Sequence, residues 1–254
     1  MEKNAPQEQI PQQPIEFIMK KIEIISRIER KKIVAIIRED NSDVAFRSAM
    51  ACIAGGIECI EVALTTPFGL DVIEELSKLD GIVVGAGTVL DAETARLAIQ
   101  MGAKFLLSPA VNPSMIRICS QYGVASVPGA FSPTEVVSAL EAGADIVKIF
   151  PAGLLGPSYL ESISSPLPQG LFMPSGGVTL ESIPRWLNTK GVFALGIGGS
   201  LTSGAKSGDF DSITAKAAQF VQAVANATDE NNNSATDSRN QMKLNGASNV
   251  ARGA

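Results

Sequence analysis

Two charged residues stand where buried strands normally have none. Lys148 is centred in the run Asp145–Ala152 (DIVKIFPA), with a helix-like segment before it and a Pro/Gly-containing loop after it. An apolar run bounded in this way reads as a strand buried on both faces. Alternation along a strand puts Lys148 and Phe150 on one face, and Val147 and Ile149 on the other. Burial disfavours the charged form of an amine, and the neutral amine is the form that attacks a carbonyl carbon. A lysine so placed has two other uses: it can snorkel from a strand end, or pair with a buried carboxylate. Glu61 is the acidic counterpart, enclosed by Cys59 and Ile60 before it and Val62, Ala63 and Leu64 after it. Alone, Glu61 reads as an ion-pair partner that satisfies Lys148. With a candidate nucleophile on another strand of the same sheet, it reads as a general base.

The chain contains no histidine. That removes Ser-His and Cys-His nucleophilic pairs and imidazole-based zinc sites, so no metal is expected. Acid–base work falls to carboxylates, lysine, tyrosine, thiols or water. Ser175-Gly176-Gly177 and Gly198-Gly199-Ser200 are two Gly/Ser turns that follow apolar runs. Glycine lets backbone N–H groups face an anion without a Cβ in the way, and serine adds a hydroxyl donor. A pair of such turns after the last two strands of an α/β chain points to phosphate. Gly85-Ala86-Gly87-Thr88 permits close approach of a ligand and offers the Thr88 hydroxyl, whereas Ser108-Pro109 and Pro128-Gly129 read singly as strand-to-loop punctuation.

Regularly alternating elements must position these groups. A leading amphipathic helix over Pro14–Lys32 carries Ile15, Phe17, Ile18, Ile22, Ile25 and Ile28. Strands follow at Ile33–Arg38, Cys59–Thr65, Ile82–Val89, Phe105–Ser108, Ala125–Pro128, Ile146–Phe150, Leu171–Pro174 and Phe193–Ile197. Between them lie helices over Ser42–Ala54, Pro67–Leu79, Ala92–Met101, Pro113–Tyr122, Pro133–Ala142, Leu180–Asn188 and a short one near Ser158–Ile163, with Asp211–Ala227 last. Ser42 and Asp91 are expected N-caps, and Gly81, Gly102, Gly123, Gly143 and Gly191 are expected left-handed C-caps. This eightfold alternation predicts a (β/α)8 TIM barrel over 14–227, with a doubly wound open sheet as the competing fold. Residues 1–13 and 228–254 are polar, lack an apolar period and are expected to be disordered tails.

The composition supports one α/β domain: 254 residues, 45% hydrophobic and rich in glycine. A net charge of −5 with no basic run argues against nucleic acid. No apolar stretch is long enough to span a bilayer, and no secretory or transit segment is evident, so a cytoplasmic protein is expected. Cys52, Cys59 and Cys119 form no CxxC and read as reduced core thiols.

Eight ordered stretches resemble the 2-keto-3-deoxy-6-phosphogluconate / 4-hydroxy-2-oxoglutarate aldolase family. They are Ile33–Arg38 (IVAIIR), Gly56–Leu64 (GIECIEVAL), Val84–Val89 (VGAGTV), Phe105–Pro109 (FLLSP), Val127–Gly129 (VPG), Val147–Ala152 (VKIFPA), Pro174–Val178 (PSGGV) and Leu195–Ser200 (LGIGGS). The resemblance runs from about residue 20 to about 225. It implies a class I aldolase with Lys148 as Schiff-base lysine and Glu61 as general acid/base. It further implies a pyruvate pocket lined by Thr88, Pro109 and Phe150, with Ser175 where well-studied bacterial members carry threonine. Gly176, Gly177, Gly198, Gly199 and Ser200 match the phosphate cradle. Thr65 replaces an arginine found in some members, and Arg38 is the candidate to supply the positive charge. The implied substrate is a 2-keto acid sugar phosphate, with no metal or other cofactor and a homotrimeric assembly. The competing functions are a phosphosugar-binding barrel without turnover, in which Lys148 and Glu61 are a structural pair, and a phosphosugar isomerase or synthase.

Overall fold

The computed structural model describes residues 13–229. The expected tails therefore lie outside the described residues, except that Gln13 already opens the first helix and residues 228–229 still belong to the last one. In chain order the elements are α1 (Gln13–Lys31), β1 (Ile33–Ile37), α2 (Ser42–Ala54), β2 (Cys59–Ala63), α3 (Gly69–Ser77), β3 (Val83–Gly87) and α4 (Ala92–Gln100). Next come β4 (Phe105–Leu107), α5 (Pro113–Gln121), β5 (Ala125–Val127), β6 (Gly129–Ala130), α6 (Pro133–Glu141), β7 (Val147–Ile149), α7 (Ala152–Leu155) and α8 (Pro157–Ser164). The last are β8 (Phe172–Pro174), α9 (Ile183–Leu187), β9 (Leu195–Ile197), α10 (Gly199–Thr202) and α11 over residues 210–229.

All strand pairings are parallel, in a curled arrangement flanked by helices. One sheet runs β5-β4-β3-β2-β1-β9 and a second runs β6-β7-β8. They are stitched together on both sides. Ile146 N–H donates to Ser126 O (3.2 Å) and Lys148 N–H to Pro128 O (2.9 Å), while isolated parallel bridges join Ser175 to Gly196 and Phe172 to Val192. The expected fifth strand, Ala125–Pro128, is β5 and ends at Val127; Pro128, which has no N–H to give the ladder, separates it from a further short strand, β6, that was not expected.

Strand alternation separates two cores. Ala35, Ile60, Val62, Val84, Leu106, Val147, Ile149 and Leu195 pack with the surrounding helices. The other positions, Val34, Cys59, Val83, Phe105, Ala125, Ile146, Met173 and Ala194, form a separate cluster with Ile28 of α1, and Ile24 and Ile25 pack against it. The sequence pattern also named Ile22, but it is 52% exposed, so the buried stripe of α1 is Ile24, Ile25 and Ile28. The side chains of Ile15, Phe17 and Ile18 lie outside the described residues. Two ion-paired anchors fix this helix: Lys21 to Asp145 (2.7 Å), and Lys31 and Arg27 to Glu58 (2.6 and 3.4 Å). The remaining Asp145 carboxylate oxygen accepts from Ser126 N–H (2.8 Å) and Ser126 Oγ (2.9 Å).

Local chemistry sets most boundaries. Asn41, not Ser42, caps α2, its Oδ1 accepting from Val44 N–H at 2.9 Å; the helix begins one residue after the side chain that satisfies it. Asp91 caps α4 as expected, and the five glycines expected after helices all have positive φ. The expected helix Leu180–Asn188 divides into a 3₁₀ turn, Leu180–Ser182, and α9. The short helix near 158–163 is preceded by a separate turn, α7, because Gly156 interrupts the run.

Candidate functional site

The strand face that holds the inner cluster also carries the charged groups, one step further along each strand. Glu61 lies two residues past Cys59, Lys148 two past Ile146, Ser175 two past Met173 and Gly196 two past Ala194. With α1 packed at the other end of this face, these groups turn toward the C-terminal ends of the strands.

There they meet a cavity of about 520 Å³. Every site residue expected from the sequence except Glu61 lines it. Lys148 and Phe150, Arg38, Thr88 and Pro109, and Ser175 with the four turn glycines and Ser200 all line it, and β8, which leads into the first glycine turn, pairs directly with the Lys148 strand. Ile36, Val178 and Thr179 also line it and were not singled out beforehand. Ile36 could have been found by alternation, since it precedes Arg38 by two on β1.

Lys148 is only 5% exposed, and its Nζ lies 5.0 Å from the centroid of the Phe150 ring, a cation–π distance. Glu61 is wholly buried, and neither carboxylate oxygen has a hydrogen-bond partner. The two are therefore not a hydrogen-bonded ion pair. Burial pushes the Glu61 carboxyl above its ordinary range, while the charges of Lys148 and then Arg38 pull it the other way. Ser175 Oγ is likewise buried without a partner.

Arg38 just beyond β1 is held as a fork, Nη1 donating to Thr65 Oγ1 (3.1 Å) and Nη2 to Thr88 Oγ1 (3.2 Å). Thr65 thus supports a guanidinium presented from a neighbouring strand. Thr88 has φ +59°, a backbone conformation that β-branched residues rarely adopt and that recurs at ligand sites.

The two glycine turns are built differently. Gly176 (φ +77°) and Gly177 (φ +88°) occupy the left-handed region, and a Cβ on Gly177 would stand 2.7 Å from Gly153 Cα. This turn is bonded to the segment after Lys148, Ala152 N–H donating to Ser175 O (2.8 Å) and Gly153 N–H to Gly176 O (2.7 Å). Gly198 and Gly199 lead into α10, whose first N–H groups have no acceptor within the helix. Ser200 Oγ donates to Val178 O (2.8 Å), tying one turn to the other. Its hydroxyl proton is thus spent within the protein, which leaves the backbone N–H groups as the free donors of this turn.

Among the described residues no cluster of three or more His, Cys, Asp or Glu side chains is placed to hold a metal, and no helix is long and apolar enough to cross a membrane. Cys52, Cys59 and Cys119 are buried free thiols, each pushed up to about 12 by burial.

The family model for KDPG and KHG aldolase matches residues 24–216. The chain is 35% identical over 208 residues to the 2-dehydro-3-deoxy-phosphogluconate aldolase of Treponema pallidum (strain Nichols), covering 80% of this chain and 98% of that protein. It is 32% identical over 198 residues to the 2-dehydro-3-deoxy-6-phosphogalactonate aldolase of Escherichia coli (strain K12), covering 77% and 95%. Among solved structures, the KDPG aldolase of Legionella pneumophila, with pyruvate captured at low pH as a covalent carbinolamine intermediate, superposes with a TM-score of 0.69. It shares 26% identity, over 77% of this chain and 96% of that one.

Proposed function

The chain belongs to the KDPG and KHG aldolase family, and from that premise we propose that it cleaves 2-keto-3-deoxy-6-phosphogluconate to pyruvate and glyceraldehyde 3-phosphate through an imine on Lys148. The observation that carries this is a nearly buried amine opening into a cavity that two glycine turns also line, with an unpartnered carboxylate on the same face of the strands.

The Lys148 amine adds to the C2 carbonyl carbon, the carbonyl oxygen takes a proton, and loss of water leaves a protonated imine. The C3–C4 bond then breaks. Its electron pair moves into the imine to give an enamine, and the C4 hydroxyl proton passes to Glu61, directly or through one water. The raised affinity of Glu61 for a proton suits a group that must take and return one in each cycle. Glyceraldehyde 3-phosphate leaves, C3 is protonated, and water releases pyruvate and the free lysine. Thr88, Pro109, Phe150 and Ser175 line the keto-acid end, and Arg38 supplies positive charge for its carboxylate. The Gly176/Gly177 and Gly198/Gly199 turns take the phosphate, joined by Ser200 as their brace. Cleavage of 4-hydroxy-2-oxoglutarate needs the same imine and no phosphate cradle. On this reading the curled sheet closes as a (β/α)8 barrel, with β5 and β6 counting as one strand, and the enzyme works as a homotrimer.

Borohydride reduction in the presence of pyruvate tests the chemistry. A covalent pyruvate adduct on Lys148 is expected by peptide mass analysis; its absence would leave a phosphosugar-binding protein. Retro-aldol rates on the gluconate and galactonate epimers and on hydroxyoxoglutarate then assign the substrate, and light scattering reads the assembly.

A further inference from the structure

The buried carboxylate of Glu61 is held by an absence. It belongs to β2 and pairs in register with Gly85 of β3, while Ala63 pairs with Gly87. A Cβ on Gly85 would run into the Phe105 ring, so that space is filled from β4. A Cβ on Gly87 would overlap Glu61 Oε1 and Cδ outright and stand 2.8 Å from Cγ. The Glu61 side chain thus leans past its own register partner, toward the cavity end of the sheet, and lies in the place where residue 87 has no side chain. Ser175, the other unpartnered hydroxyl or carboxylate of this layer, is held in the same way over Gly196.

We propose that Gly87 is a positioning residue whose missing side chain forms the slot that aims the Glu61 carboxylate at the reacting carbon. The inference rests on the aldolase reading. Glu61 has no hydrogen bond to orient it, and the space left at Gly87 is where its carboxylate lies. The Phe105 ring blocks retreat toward Gly85. An alanine at 87 would drive the carboxylate across the face, away from its working position, while leaving Lys148 untouched.

The test separates proton transfer from imine formation. On the protonated imine of pyruvate, a C3–H bond breaks, its electron pair forms the enamine, and the base carries off the proton; return of a deuteron labels the methyl group. In Gly87→Ala, deuterium exchange into pyruvate in D₂O should fall by about 100-fold, as a misplaced catalytic group does, with trapping by borohydride reduced by less than about tenfold. In the retro-aldol reaction kcat should fall with little change in KM. Glu61→Asp withdraws the carboxylate by one methylene, so Glu61→Asp/Gly87→Ala should regain at least about tenfold of the exchange lost in Gly87→Ala. If Gly87→Ala does not fold, thermal denaturation of Glu61→Ala and Glu61→Ala/Gly87→Ala replaces it. Equal midpoints place the conflict at Glu61, and a further loss in the double variant overturns the slot. Equal falls in trapping and exchange, or wild-type exchange in a folded Gly87→Ala, would also overturn it. Failure of the unmodified chain to trap pyruvate would instead bring down the aldolase reading, and this proposal with it.

Discussion

On the proposed mechanism Lys148 is the amine that adds to the carbonyl carbon. Lys148→Ala should abolish borohydride trapping of pyruvate. Lys148→Arg should do the same, because guanidinium stays protonated; peptide mapping of the reduced protein reads both, and an adduct at another lysine would refute the assignment. Glu61 carries a stability consequence with a definite sign. Its carboxyl is raised above the ordinary 4.5 by burial, so from about that pH upward the native protein keeps a proton that the unfolded chain has lost. Stability contributed by that proton is present below the unfolded value and is lost as pH rises through the folded one. Glu61→Gln does not titrate. It should therefore match the parent in melting temperature at acid pH and exceed it progressively as pH rises, while turnover falls about 10²–10⁴-fold. A melting difference that is flat with pH would show that Glu61 does not titrate on unfolding. Both residues were legible in the sequence because a charge inside an apolar run is conspicuous. The slot at Gly87 was not, because the lean of a side chain toward a neighbouring strand has no signature in either strand alone.

The two glycine turns differ in how they tolerate side chains. Gly177 is wedged against Gly153, so any substitution there disturbs the backbone. Gly199 lines the cavity, yet a Cβ built on it meets nothing within 4 Å. Gly199→Val should fold and place its methyl groups in the cavity, where the proposed mechanism puts the phosphate. Cleavage of the phosphorylated substrate should weaken by about 1–3 kcal/mol, mainly through KM, and hydroxyoxoglutarate cleavage should change much less. Steady-state kinetics on both substrates decides, with circular dichroism as the folding control; equal losses would mean that the turn serves the sheet. The turns themselves were readable from Gly and Ser following apolar strands. That Val178 and Thr179 also face the cavity, and that Ser200 spends its proton on Val178, depends on the folded path of the loops and was not.

Over the whole molecule, α1 carries more than its place as a leading helix implies. Ile28 sits among the inner strand positions and is 1% exposed. Ile28→Ala should cost about 2–5 kcal/mol, read as a lower melting temperature, while kcat and KM measured well below the transition stay unchanged. The alternation of elements was legible because helix and strand periods differ and glycines punctuate them. The ninth strand segment was not, since Pro128 interrupts a ladder without altering the apolar pattern around it. The packing of α1 against the inner cluster also covers the end of this strand face opposite the cavity. On the proposed mechanism the keto-acid fragment stays bonded to Lys148 once the C3–C4 bond has broken, while the aldehyde fragment is free. Departure must then follow a fixed order, aldehyde before keto acid. Pyruvate should inhibit competitively against the six-carbon substrate, and glyceraldehyde 3-phosphate should inhibit noncompetitively. The reverse pattern in product-inhibition kinetics would mean that the keto acid leaves first.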